Sequence, residues 1–262
     1  MDLALAIARS GLEAQHTNIE IISNNLANAS TDGYKKSRAV FEDLPYDVTQ
    51  QPGSPTTQET NSPGGIVMGT GTKLVGNMKV YIDGPETYTG RPFDLAISGR
   101  GFLQIELPNG GGFAYTRNGQ LTTNAQGQLT LPNGYIIQPP ITLPPGYQNF
   151  TVSQDGIVTV TTGTSSTPQQ LGQIQLADFP NYDGLEPIGQ NLYLQTQSSG
   201  AAVLGNAATN GLGTIYQNTV EGSNVNVVEE MVNLIEAQRT FEITSKSVSA
   251  VDEMMKYLSQ EA

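Results

Sequence analysis

Side chains that commonly carry out catalysis or bind metals are scarce in this sequence. Its 262 residues include one histidine, His16, and no cysteine. A Ser/His/Asp triad would have to recruit that single imidazole, and zinc held by imidazole or thiolate groups needs several such ligands. Without cysteine there is also no thiolate catalysis and no disulfide bond. We therefore predict no catalytic, cofactor-binding or metal-binding residue and no enzyme activity.

Carboxylates are the remaining groups that could act as an acid and a base. Adjacent acidic residues such as Glu229 and Glu230 do not share a helix face and are expected on the surface. A glycosidase needs two carboxylates at a defined separation, and no spacing in the middle of the chain singles out two of them. A secreted, β-rich cell-wall hydrolase stays open as the alternative class of protein. Its available carboxylates are Asp94, Glu106, Asp155, Asp178, Asp183 and Glu186.

The charge of the chain narrows the classes of partner. The net charge is −12 and the 12 Lys and Arg residues are scattered, so the basic stripe of a nucleic-acid-binding protein is missing. An anionic membrane surface is disfavoured for the same reason. No apolar run approaches the roughly 18 residues of a membrane-spanning helix. The first nine residues do not read as a secretory signal, so export by a cleaved signal peptide is not expected.

Apolar residues recur every seven positions at both ends of the chain. Such heptad rows are typical of helices that pack along a narrow coiled-coil seam. The first row, within residues 1–30, consists of Leu5, Leu12, Ile19 and Leu26. The second row, within residues 224–260, consists of Val227, Leu234, Phe241, Val248 and Met255. Asn226 followed by Glu229 predicts a capping box at the start of the second helix.

Each heptad row needs a partner, because a helix gains most of its stability from packing one face. The two helices could pair with each other in an intrachain hairpin, or with helices of neighbouring copies. Apolar positions outside the rows favour contacts with neighbouring copies. These positions are Leu3, Ile7, Ile21, Val228, Ile235, Val251 and Leu258.

The middle of the chain, residues 35–222, is predicted to be mainly β structure. Turn pairs separate short alternating stretches, which is typical of a small sandwich or barrel. We place this body at residues 83–200. Residues 45–64, which carry four prolines, are predicted as an extended excursion, and residues 201–215 as a loop. The turn pairs are Asn109-Gly110, Asn118-Gly119, Gln126-Gly127, Asn133-Gly134 and Asp155-Gly156.

Four segments, in order along the chain, resemble the axial proteins of the bacterial flagellum, the family of rod, hook and hook-associated subunits. Residues 24–35 read NNLANASTDGYK and are similar to the signature that follows the family's first helix. Residues 93–103, followed by 115–119, resemble the opening strands of its β domain, and residues 172–179 with 189–193 form the third similar segment. The fourth, residues 223–226, 229–232 and 237–242, is similar to its C-terminal helix signature. The matched motif residues are Asn25, Asn28, Thr31, Gly33, Tyr34, Asn224, Gln238 and Arg239.

The resemblance implies an α+β fold with a coiled-coil stem made by both terminal helices and a β domain outside it. The expected domains are residues 1–34 plus 223–262 for the stem, 35–82 plus 201–222 for a connecting segment, and 83–200 for the β body. Length and domain content are most similar to subunits of the distal rod. Departures from the family's usual residues stand at Leu103, Asn218 and Gly222.

The same resemblance implies a structural subunit that polymerises into a helical tube and transmits motor torque across the periplasm to the hook. Its partners would be copies of itself, other rod subunits, the hook protein, the bushing rings and the type III export apparatus, which needs no cleaved signal. The expected packing residues are Leu5, Leu12, Ile19, Leu26, Leu234, Phe241, Val248 and Met255. A proximal rod or hook-like paralogue, the hydrolase, and an adhesin or tail-fibre protein are the alternatives.

Overall fold

The computed structural model describes residues 2–52, 64–163 and 165–261. The chain forms two compact units. The helical unit comprises residues 1–27, 37–79 and 226–262, and the β unit comprises residues 28–36 and 80–225. Two terminal helices and a mainly β middle are therefore confirmed as the plan of the chain.

The helical unit holds two long helices, α1 (Asp2–Ala27) and α2 (Val227–Glu261). The start of α2 is fixed by Asn226, whose side-chain Oδ1 accepts hydrogen bonds from the backbone N–H groups of Val228 at 3.1 Å and Glu229 at 3.4 Å. An amide in this position satisfies N–H groups that have no partner inside the helix. After α1, Gly33 has φ of 71°, a left-handed conformation that glycine adopts without strain.

In its described residues, the helical unit also holds four strands that form two antiparallel ribbons. β1 pairs with β4 and β2 pairs with β3. The predicted excursion at 45–64 thus begins in a β ribbon, and its residues 53–63 lie outside the described part of the chain. The strands are β1 (Ser37–Asp43), β2 (Tyr46–Gln50), β3 (Ile66–Gly69) and β4 (Thr72–Lys79).

The β unit contains sixteen strands in its described residues. They are β5 (Glu86–Tyr88), β6 (Leu95–Ser98), β7 (Phe102–Glu106), β8 (Phe113–Thr116), β9 (Thr122–Thr123), β10 (Leu129–Thr130), β11 (Ile136–Gln138), β12 (Tyr147–Val152), β13 (Ile157–Thr162), β14 (Ser165–Gln173), β15 (Gln175–Asp178), β16 (Glu186–Gly189), β17 (Leu192–Leu194), β18 (Val203–Asn206), β19 (Thr214–Gln217) and β20 (Thr219–Glu221). Residues 201–215 contain β18 and the start of β19, so their prediction as a loop was wrong.

One large sheet organises the β unit, and its described strands pair antiparallel. The main path runs β16-β17-β8-β7-β11-β10-β9, with β15 attached at β7 and β18 attached at β15. A three-stranded sheet, β12-β13-β14, and the ribbons β6–β19 and β5–β20 complete the unit. Four of the five predicted turn glycines have left-handed φ, which short hairpin turns need. They are Gly110, Gly127, Gly134 and Gly156.

The core of the β unit is aliphatic, with a separate aromatic cluster beside it. Alternating strand positions supply the aliphatic part, for example Val158 and Val160 on β13. Burial of each large aliphatic side chain contributes on the order of 1.5–3 kcal/mol. The aromatic cluster consists of Phe102, Tyr115, Phe179 and Tyr193, with Tyr81 and Tyr182 packed against it.

Candidate assembly surface

Helices α1 and α2 are antiparallel and in contact, because the end of one meets the start of the other. The side-chain Nδ2 of Asn25 donates to Oε2 of Glu230 at 3.2 Å. Near the other end, a Cβ placed on Gly11 would lie 3.7 Å from Cγ2 of Thr244. Glu230 is buried although it is charged, so its hydrogen bond to Asn25 offsets part of the cost of desolvation.

The predicted motif residue Asn25 also joins α1 to β1. Its Oδ1 accepts a hydrogen bond from the backbone N–H of Ser37, and its Nδ2 donates to the Ser37 carbonyl, both at 2.8 Å. A side-chain amide that pairs with both backbone groups of one residue acts as a strand partner would. Asn25 therefore holds the chain where it returns to the helical unit.

The predicted packing rows lie at the edge of the buried face of the hairpin. Leu12, Ile19 and Leu26 are half-buried, and Leu5 is exposed. On α2, Leu234, Phe241 and Val248 are half-buried, and the side chain of Met255 lies outside the described part. Leu12 and Phe241 line one shallow groove of about 310 Å³. The most buried apolar residues of the hairpin are Ala14, Ile21, Ile22 and Ala237, so Ile21 faces its own chain and not a neighbour.

Helix α2 has a second apolar face, opposite the one that covers α1. Buried Glu230 and Ala237 lie on one side, and residues two positions away fall about 200° around the helix. A stripe of large apolar side chains runs along this opposite side of α2 and is exposed to solvent. It consists of Val228, Val232, Ile235, Ile243, Met254 and Tyr257. Its exposure reaches 71% at Val228 and Tyr257, which is unusual for large apolar side chains in a row. The sequence analysis names Val228 and Ile235 as apolar positions outside the heptad rows and does not single out the other four.

Two predicted motif residues of α2 are exposed. Arg239 lies along the stripe between Ile235 and Ile243, and Gln238 lies beside it. A long Arg side chain can cover apolar surface with its methylene groups while its head stays in water. Both residues are therefore accessible to a second molecule.

The remaining motif residues lie in the β unit. Asn28 and Thr31 line a polar cleft of about 380 Å³ together with amide side chains of the body, among them Asn118 and Asn191. The backbone N–H of Gly33 donates to the Glu221 carbonyl at 2.7 Å, and Tyr34 is buried. Asn224 bonds the backbone of Lys36 and Val80. These residues hold the segment after α1 on the β unit.

Asp32, in the same segment, contributes to this attachment. Its carboxylate accepts from Nε2 of Gln120 at 2.5 Å, and its carbonyl accepts from Nδ2 of Asn191 at 2.9 Å. Burial raises the pKa of Asp32, the negative charge of Asp94 raises it further, and the hydrogen bond from Gln120 lowers it.

The carboxylates that a hydrolase could use have structural partners or stand apart on the surface. Asp94 is buried and accepts from Oγ1 of Thr89 at 2.7 Å, and Asp178 pairs with Arg100 at 3.2 Å. Among the described residues, no three His, Asp or Glu side chains are grouped so that they could hold a metal ion. Nor does any described helix combine the length and apolar character needed to cross a membrane.

The exposed apolar stripe of α2 is a surface suited to association with another molecule. Family models match three parts of the chain: "Flagella basal body rod protein" at residues 5–35, "Flagellar hook protein FlgE/F/G D1 domain" at 96–160, and "Flagellar basal body rod FlgEFG protein C-terminal" at 216–261. The chain belongs to the FlgG-like family of flagellar basal-body rod proteins, which are structural proteins and not enzymes.

Curated relatives match it over nearly the whole length. The flagellar basal-body rod protein FlgG of Buchnera aphidicola subsp. Baizongia pistaciae is 45% identical over 98% of both chains. FlgG of Caulobacter vibrioides is 44% identical over 98% of both chains, whereas FlgF of the same organism is 33% identical over 98% of this chain and 96% of its own. The crystal structure of Helicobacter pylori flagellar hook protein FlgE2 covers 60% of this chain and 47% of its own, at 14% identity and a TM-score of 0.23, a likeness too low to bear on the fold.

Proposed function

We propose that the chain is a subunit of the distal rod of the flagellar basal body, and that it polymerises into a helical tube that transmits motor torque to the hook. The greater identity to FlgG than to FlgF of one organism supports this paralogue over another rod subunit. The observation that supports self-assembly is the exposed apolar stripe of α2, which lies opposite the face that contacts α1.

Such a stripe is costly unless a partner covers it. Apolar surface contributes about 25 cal/mol for each Å² removed from water. A second copy of the chain supplies a matching helix, and a head-to-tail contact that does not close on itself produces an open helical polymer. In this polymer the helices form an inner coiled-coil layer, with Leu5, Leu12, Ile19, Leu26, Leu234, Phe241, Val248 and Met255 as its packing residues.

The Pro-rich excursion reaches a neighbouring subunit and stiffens the rod. The ribbon β2–β3 from which it extends supports this, because a ribbon of two strands alone is marginal in water. Its apolar side chains are about half exposed and need a cover. They are Tyr46, Val48, Ile66, Val67 and Met68.

The subunit is placed in the rod that spans the periplasm, after export through the flagellar type III apparatus without a cleaved signal peptide. Its partners are its own copies, other rod subunits, the hook protein and the surrounding ring proteins. The division into a stem (1–34, 223–262), a connecting segment (35–82, 201–222) and an outer β body (83–200) is part of the same proposal. The pairing of β19 with β6 and of β20 with β5 supports a body that is broader than its predicted limits.

The stripe can be tested with Ile235→Ser and Ile243→Ser in a strain that depends on this chain for its rod. Both side chains are at least half exposed, so we expect an unchanged melting temperature of the purified chain. Rods counted by electron microscopy and swimming should be lost or strongly reduced. Glu242→Ser, an exposed position beside the stripe, is the matched control and should assemble normally. Normal rods in the double stripe variant would contradict self-assembly through α2.

A further inference from the structure

A cluster of charged side chains is buried inside the β unit. Lys35, Arg117 and Glu221 are each at most 3% exposed. Nζ of Lys35 lies 2.5 Å from Oε1 of Glu221, and Nη1 of Arg117 lies 3.3 Å from Oε2 of the same carboxylate. One carboxylate therefore bridges two cations, and each of its oxygens has its own partner.

A fourth charge balances the cluster. Oδ1 of Asp83 lies 3.4 Å from Nη1 of Arg117 and 3.9 Å from Nζ of Lys35. Backbone carbonyls complete the set, since Lys35 donates to Ile82 at 2.8 Å and Arg117 donates to Gly99 at 2.5 Å. Burial and the charge of Arg117 lower the pKa of Lys35, whereas Glu221 raises it. The two carboxylates offset the repulsion between the two cations.

Beside the cluster, the side chain of Asn224 joins its own backbone segment to two others, one at Lys36 and one at Val80 and Ile82. Its Oδ1 accepts from the N–H of Lys36 at 2.7 Å. Its Nδ2 donates to the carbonyls of Val80 at 2.8 Å and Ile82 at 3.1 Å. No charge is involved, so the bonds of Asn224 can be removed without leaving a buried ion unpaired.

These residues stand where the chain passes between its two units. The passages fall after residues 27, 36, 79 and 225. Lys35 and Lys36 end the short segment between the first two passages, Val80 and Asp83 follow the third, and Glu221 and Asn224 precede the fourth. Arg117, in contrast, belongs to the interior of the β unit, where it also lies 5.4 Å above the ring of Phe102.

We propose that Lys35, Asp83, Arg117, Glu221 and Asn224 form a clamp that shares mechanical force among these chain passages. The inference rests on the proposed torque-transmitting role. A segment pulled alone loses its hydrogen bonds one after another, whereas segments fastened to one another and to Arg117 are loaded together. Rupture under force depends on the rate of unfolding, and the clamp slows that rate at the ends of the β unit.

The test uses Asn224→Ala and Glu221→Gln in cells that build the rod from this chain. We expect rods in normal number and swimming close to normal in dilute medium. In viscous medium, where the motor works against high torque, hooks with attached filaments should be shed several-fold more often. If Glu221→Gln does not fold, Asn224→Ala carries the test alone.

The matched control is Val158→Ala, which opens a cavity in the core of the β unit away from the passages. Its melting temperature should fall at least as far as that of Asn224→Ala, but shedding should stay at the original level. Equal shedding for the control and the clamp variants at equal melting temperature would overturn the clamp. Failure of the unmodified chain to form any rod would instead contradict the proposed function itself, so the two failures are distinguishable.

Discussion

At the scale of single residues, two tyrosines of the aromatic cluster are shielded from ionisation. Tyr193 is 3% exposed and lies 5.7 Å, between ring centroids, from Phe102 and 6.1 Å from Tyr81. Burial strongly raises the pKa of both Tyr81 and Tyr193 above the usual phenol value. The neutral phenol packs well in this cluster, whereas a phenolate would be a buried charge. For Tyr193 the nearby cation Arg117 lowers the pKa, but burial has the larger effect.

This shielding predicts how the β unit responds to alkali. The folded pKa of each phenol lies above its unfolded value of about 10, so the folded state retains more protons at high pH. The stability contributed is therefore fully present below about pH 10 and is lost as the pH rises above that value. We expect the absorbance of tyrosinate to rise in two stages, the second together with loss of the β signal in circular dichroism.

The chain suits this measurement because it contains 11 tyrosines and no tryptophan. Tyr193→Phe provides the control, since it removes one phenol and keeps the ring. It should reduce the amplitude of the second stage. Complete titration in a single stage at about pH 10, with the fold intact, would show that neither phenol is shielded.

Asn218 shows why one departure from the family pattern is tolerated. Its φ is 61°. Asparagine is among the few residues other than glycine that adopt this left-handed region at low cost. Its carbonyl accepts hydrogen bonds from the N–H groups of Thr89 at 2.8 Å and Gly90 at 3.3 Å. The turn geometry is therefore kept although the residue differs.

At the scale of elements, the start of α2 depends on one side chain. Asn226 accepts from two N–H groups of the first turn, and substitution of such a cap by alanine typically costs about 1 kcal/mol. We predict that Asn226→Ala lowers the free energy of unfolding by about that amount and speeds amide hydrogen exchange in the first turn. Asn226→Asp keeps the acceptor and should behave like the original chain. Equal exchange rates in the Ala and Asp variants would contradict a role for the cap.

Much of the element plan could be predicted because it is local. The heptad spacing and the Asn226 cap correctly predict α2, which begins at Val227. Four of the five predicted turn pairs have a glycine with left-handed φ. The clamp could not be predicted, because Lys35 and Glu221 are 186 positions apart and no local pattern pairs them. The same holds for β19, whose partner β6 lies far upstream. The Ala, Gly and Asn content of residues 201–215 predicts a loop and hides the short strand β18.

Candidate surface residues were harder to predict than elements. A heptad row predicts that a helix packs against a partner. It does not predict which face of the helix is covered by the same chain and which face is left exposed. Ile21 is buried within the hairpin, whereas Val232 and Ile243 are exposed. The missed signal was the recurrence of apolar residues on both sides of α2, which indicates two partners and not one.

At the scale of the whole molecule, the balance between covered and exposed apolar surface predicts that the helices are ordered by assembly. Among the described side chains of α2, one apolar face is packed and the other is exposed, and helices gain most of their stability from packing. We expect the dilute, purified chain to show less helix than the 26 residues of α1 and 35 of α2. Helical circular dichroism should rise when the chain polymerises into tubes.

Limited digestion with trypsin tests the same expectation at defined positions. Arg239 and Lys246 lie on exposed parts of α2, whereas Lys35 and Arg117 are buried in the β unit. In the monomer the helix sites should be cut first and leave a resistant β fragment, because transient opening exposes them to the protease. In tubes all four sites should be protected, since the stripe is then covered. A monomer whose ends resist trypsin from the start, and which does not polymerise at any concentration tried, would mean that the stripe has no second copy as its partner.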